Sequence, residues 1–115
     1  MAVYVYQTFS LKQDKFKEGL ENLRELKKLN NENYTNKVEI LTPISGNDHI
    51  YALLTVYDGL AEMELQSKKM NEDENYQKLI DEFFLQNIEQ GSMHTQIFRA
   101  MVEKKEKENK DKEAE

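Results

Sequence analysis

The chain has 115 residues and no cysteine, which suits one domain with a single core and excludes disulfide and thiol chemistry. Its formal net charge of -6 argues against a phosphate-backbone partner, which needs clustered Lys and Arg. No apolar run approaches the length of a membrane span, and no basic leader precedes the first strand-like stretch, so we expect a cytoplasmic protein without membrane attachment.

Residues 3–9, VYVYQTF, alternate and are rich in β-branched and aromatic side chains, which predicts a strand. Ser10 and Gln13 of the following SLKQ have the spacing of a capping box, and Phe16, Gly19, Leu20, Leu23 and Leu26 or Lys27 then recur at helical spacing. The asparagines of NNEN (30–33) end that helix. KVEILTP (37–43) reads as a short strand stopped by Pro43, and SGND (45–48) as a turn. Residues 49–57, HIYALLTVY, give the strongest strand signal, with Asp58 as an expected N-cap for the helical GLAEMELQSKKM. A second helical stretch opens after NED, with Tyr76, Leu79 or Ile80, Phe83 and Asn87 along one stripe, Tyr76 being read as helix packing. Gly91 closes it and SMHTQIFR (92–99) is the last strand. VEKKEKENKDKEAE (102–115) nearly balances its charges and carries one aliphatic residue. It reads as a frayed helical or disordered tail, so the domain is set at 1–101.

The order β-α-β-β-α-(α)-β is that of a ferredoxin-like α+β fold. One four-stranded antiparallel sheet has helices on one side only. The helix side is expected to take Val3, Val5, Val38, Ile40, Ile50, Ala52, Leu54, Val56, Met93, Thr95 and Ile97. The open side would carry Tyr4, Tyr6, Thr8, Tyr51, Leu53, Thr55, Tyr57, His94, Gln96 and Phe98. A bare face of that kind is a large apolar-aromatic patch, and a second copy packed face to face is the economical cover. The space between two such sheets is a lumen lined by rings, hydroxyls, a His and a Gln, suited to a small aromatic molecule.

At this point the chain resembles the dimeric α+β barrel superfamily. That group includes the antibiotic-biosynthesis-monooxygenase-like, stress-responsive A/B-barrel and NIPSNAP-like families. The resemblance lies in VYVYQTFSLKQDKFKEGLENL, in the middle block ILTPISGNDHIYALLTVYDGLAEMELQSKKMNEDENYQKL, and in the closing GSMHTQIFR. It covers about residues 2–100. It implies pairing into a dimeric barrel and, for one branch, oxygenation of an aromatic substrate without a cofactor. The haem-degrading branch is disfavoured, because the chain has no Trp and lacks that branch's Asn-Trp-His set.

The sequence carries no phosphate-binding glycine loop, nucleophile elbow, H-E-x-x-H or C-x-x-C motif. His49 and His94 are the two side chains that titrate near neutrality when unperturbed. His49 starts a strand beside a turn and reads as an exposed surface residue. His94 sits mid-strand on the expected lumen face and is the candidate base, with a packing role as its alternative. Tyr4, Tyr6, Tyr51, Thr55, Tyr57, Gln96 and Phe98 are the expected ligand contacts. No metal site is expected, since no carboxylates accompany the histidines on that face. The functional alternatives are a monooxygenase-like enzyme, a non-catalytic ligand binder, and a purely structural homodimer.

Overall fold

Alternation builds the first strand, β1 (Val3–Ser10), one residue longer than expected, in a computed structural model that describes residues 1–46 and 49–101. The Ser10–Gln13 capping box does not form. Ser10 stays in the strand, where its N–H donates to Ser92 Oγ at 3.1 Å and its carbonyl accepts from Glu89 N at 2.9 Å. A 3-10 turn at Gln13–Lys15 leads instead into α1 (Phe16–Asn33), which has no side-chain cap. Gly19 lets α1 lie close to the chain below it, since a Cβ there would stand 2.9 Å from Leu11 Cδ2. The buried stripe of α1 is Gly19, Asn22, Leu23, Leu26 and Asn30, a helical spacing that includes two amides.

β2 (Lys37–Leu41) and β3 (Ile50–Tyr57) follow. The helix after β3, α2 (Leu60–Glu72), takes Gly59 rather than Asp58 at its N-cap and buries only Gln66 and Met70. Asp73 caps α3 (Glu74–Glu82) by accepting from Tyr76 N at 3.1 Å. α3 runs into a π turn at Phe83–Asn87, which buries both its end residues. β4 (His94–Arg99) closes the fold. The charged tail expected over 102–115 lies outside the described residues.

The sheet order is β2-β3-β1-β4, with every neighbouring pair antiparallel. The helices pack on one side of it around Phe9, Leu11, Leu23, Leu26, Tyr51, Phe83 and Ile88. Phe83 meets Phe9 edge-on with ring centroids 4.8 Å apart.

Register settles the faces and corrects one strand. Val3 pairs with Tyr57, Val5 with Thr55, Gln7 with Leu53 and Phe9 with Tyr51, so these residues share the helix side. Val38 and Ile40, opposite Thr55 and Leu53, join them, as do Thr95 and Ile97 on β4. The expected parities of β1, β2 and β4 agree with this. That of β3 is reversed: Tyr51, Leu53, Thr55 and Tyr57 face the helices, and Ile50, Ala52, Leu54 and Val56 face away. The helix-side interior is the reason. It buries Asn22, Asn30, Asn36, Gln66 and Asn87, so it accommodates hydroxyl-bearing side chains that a hydrocarbon core would reject. Tyr4, Tyr6, Thr8, His94, Gln96 and Phe98 lie on the opposite face with the aliphatic set of β3. Among the described residues no helix covers that face.

Candidate functional site

The residues singled out in the sequence divide between the two sides of the sheet. On the open face Thr8 pairs with His94, Tyr6 with Gln96 and Tyr4 with Phe98, three cross-strand pairs in one row of β1 and β4. His94 and Phe98 are exposed there. Tyr51, Thr55 and Tyr57 are on the far side and cannot reach His94. Tyr51 is further separated from its two expected companions. It packs in the core against Phe16, ring centroids 5.9 Å apart, at the end of the sheet where His49 bonds Gln13.

Thr55 and Tyr57 do line a concave site, but between sheet and helices. β1 and β3 form its floor with Val5, Gln7, Thr55 and Tyr57. α2 roofs it with Met63, Ser67 and Met70, and α3 adds Tyr76, Gln77 and Ile80. Its volume is about 410 Å³. A narrower chamber of about 120 Å³ continues beneath α3 and is walled by Leu26, Leu53, Phe83 and Met93. Gln7, Asn30, Thr55, Tyr76 and Ile80 line both and so form the waist between them.

Amides and hydroxyls supply the polarity of this cleft. Asn36 Nδ2 donates to Asn30 Oδ1 at 2.8 Å, and the Asn30 amide lies beside the Tyr76 hydroxyl, where it opposes the rise in that phenol's pKa. The Ser67 hydroxyl lies beside that of Tyr57. Gln77 Nε2 is held by the Met70 carbonyl at 2.9 Å and Gln7 Nε2 by Thr95 Oγ1 at 3.3 Å. Burial pushes the Tyr57 hydroxyl above its ordinary pKa against the opposing effect of Ser67. Burial, with the nearby Tyr57 and Asp73, pushes Tyr76 up to about 12. Both phenols are therefore neutral at physiological pH. Among the described residues no Asp, Glu, Lys, Arg or His lines either chamber. Among the described residues no group of three or more His, Asp or Glu is placed to hold a metal ion, and no helix is long and apolar enough to cross a membrane.

Asn30, Ser67, Tyr76 and Gln77 escaped the sequence reading. Asn30 looked like part of a helix-ending cluster and Tyr76 like packing. One signal was present: Asn22 and Asn30 continue the apolar stripe of α1 at its own spacing, which marks them as buried amides.

No protein-family model and no curated relative matches the chain. Solved structures do. An uncharacterized NIPSNAP domain protein from Burkholderia xenovorans superposes with a TM-score of 0.70 over 89% of this chain and 96% of that one, at 14% identity. A NIPSNAP family protein from Agrobacterium tumefaciens gives 0.67 over 87% and 86%, at 15% identity. A provisionally named antibiotic biosynthesis monooxygenase from Nitrosomonas europaea gives 0.69 over 88% and 91%, at 14% identity. Together with the sheet order and the one-sided helix layer, these likenesses identify the fold as the ferredoxin-like α+β fold of the NIPSNAP-domain and antibiotic-biosynthesis-monooxygenase-like proteins.

Proposed function

We propose that the chain is a cytoplasmic homodimer, paired through the open sheet faces, in which each protomer binds a small, uncharged, mostly apolar aromatic molecule in the cleft between sheet and helices. The cleft carries the reading. Its 410 Å³ would hold a two-ring compound, its walls are methionines and aliphatics, and its polar groups are neutral donors and acceptors. An ionic ligand would find no counter-charge there. The open face supports the dimer: Tyr4, Tyr6, Leu54, Val56 and Phe98 form a continuous apolar-aromatic surface across three strands.

A second reading, oxygenation of a bound phenol without a cofactor, is favoured by the name of the Nitrosomonas neighbour. Among the described residues the cleft holds no carboxylate, imidazole or amine base, so this chemistry depends on a substrate that ionises readily by itself, or on His94 acting with Tyr4 and Tyr6 in a lumen between paired sheets.

Naphthol and a cleft-filling variant test the first reading. Naphthol should raise the melting temperature of the wild-type protein and leave that of Ser67→Phe unchanged. Equal shifts in both would remove the cleft as the binding site. Oxygen uptake with naphthol, lost in His94→Ala, would move the assignment to the lumen.

A further inference from the structure

Asn30 is 2% exposed, yet it lines both chambers of the cleft. Its carbonyl oxygen is occupied by Asn36 Nδ2 at 2.8 Å, which turns its amide nitrogen toward the Tyr76 hydroxyl. The direction of this chain can be argued from its far end. Asn36 Oδ1 is buried without a partner among the described residues. Turning both amides over would let Asn36 accept from Asn30, but it would put the Asn36 nitrogen in that unpartnered place. A buried N–H without an acceptor is rarer in proteins than an oxygen without a donor, so Asn36 donates to Asn30 and the Asn30 amide nitrogen is left facing the Tyr76 side.

Counting donors gives the consequence. An amide nitrogen carries two N–H groups and a phenol one O–H. The Asn30 N–H groups and the Tyr76 O–H, neighbours in both linings, find no protein acceptor other than one another among the described residues. Both lie at the waist where the two chambers meet. Of the other lining amides, Gln7 gives one N–H to Thr95 and Gln77 gives one to the Met70 carbonyl, while Gln77 and Asn71 line the outer chamber alone. Among the described residues no Lys or Arg accompanies the two donors, so they suit a neutral acceptor oxygen better than a carboxylate.

We propose that Asn30 is the specificity-determining donor of the cleft, gripping with Tyr76 the carbonyl oxygen of a neutral aryl ketone or a similar ring-borne acceptor. The inference rests on the cleft reading above and sharpens it from an aromatic ligand to one that carries an acceptor at the waist.

The fluorescent aryl ketone Prodan tests it, because its emission moves to longer wavelength when its carbonyl accepts a hydrogen bond. Ethylnaphthalene, which lacks the oxygen, is the control. Bound to the wild-type protein, Prodan should emit at longer wavelength than in hydrocarbon solvent. Asn30→Leu should weaken Prodan about tenfold, move its emission to shorter wavelength and leave ethylnaphthalene binding unchanged. Hydrocarbon-like emission from Prodan on the wild-type protein would overturn the proposal whether or not the variant folds. Wild-type affinity and emission in Asn30→Leu would overturn it while leaving the cleft reading intact. Failure of both compounds to bind the wild-type protein would defeat the cleft reading itself and this inference with it.

Discussion

Tyr34 and Asp73 make one of the long-range side-chain contacts of the fold. Tyr34 Oη donates to Asp73 Oδ2 at 2.6 Å, and Asp73 Oδ1 accepts from the Tyr76 backbone at 3.1 Å. One carboxylate thus joins the end of α1 to the start of α3, beside the cleft. The bond to Tyr34 holds the Asp73 carboxyl below its ordinary 3.8, and burial together with that bond raises the Tyr34 phenol well above 10.0. The signs are opposite. The Asp73 contribution is present above pH 3.8 and disappears as pH falls through its lowered folded value. The Tyr34 contribution is present below pH 10.0 and disappears as pH rises beyond it. Tyr34→Phe should cost about 1 kcal/mol near neutrality, as for a typical hydrogen bond. Urea titrations across the pH range should show its deficit shrinking toward both extremes. A deficit constant with pH would remove this contact as the cause.

Strand β3 is where one element decides the reading of the whole. Its alternation was plain in the sequence, as were the order of elements, the face of β2 and the stripe from Tyr76 through Phe83 and Asn87; the faces of β1 and β4 were assigned correctly, although both sides of each carry apolar residues. The parity of β3 was not plain, because alternation says which residues share a face and leaves open which face is inner. The mixed set Tyr51, Leu53, Thr55 and Tyr57 seemed too polar for a core. The helices opposite it, however, present amides from α1 and Gln66 from α2 rather than an unbroken hydrocarbon stripe. The candidate site suffered from the same ambiguity: reversing one strand separated His94 from Tyr57 and joined Tyr57 to residues of α2 and α3. Leu53→Asp therefore tests the parity directly. Leu53 packs against the helix-side core, and a carboxylate there costs several kcal/mol. Circular dichroism and urea melts should show an unfolded or severely weakened protomer. A fully stable, folded Leu53→Asp would return the sheet to the opposite parity.

For the whole molecule, the question is what meets the uncovered sheet face. Leu54 and Val56 on β3 stand opposite Tyr6 and Tyr4 on β1, and Phe98 on β4 is 51% exposed. With Leu54→Asp the charge falls in the middle of this face and outside the helix-side core. The variant should fold, and light scattering should find it monomeric where the wild-type chain is dimeric. The wild-type melting temperature should rise with protein concentration, and that of the variant should not. A wild-type chain that is monomeric at every concentration would exclude the paired barrel.

The buried amides of the helix-side layer have a thermal consequence as well. Hydration of hydrocarbon raises the heat capacity of an unfolded chain, whereas hydration of polar groups lowers it. Unfolding here releases Asn22, Asn30, Asn36, Gln66 and Asn87 to water along with the aliphatic and aromatic residues. Each amide subtracts from the heat-capacity increment that bends stability into a dome against temperature. The protein should therefore have a flatter dome than a chain of its length with a wholly aliphatic interior, losing less of its stability on cooling.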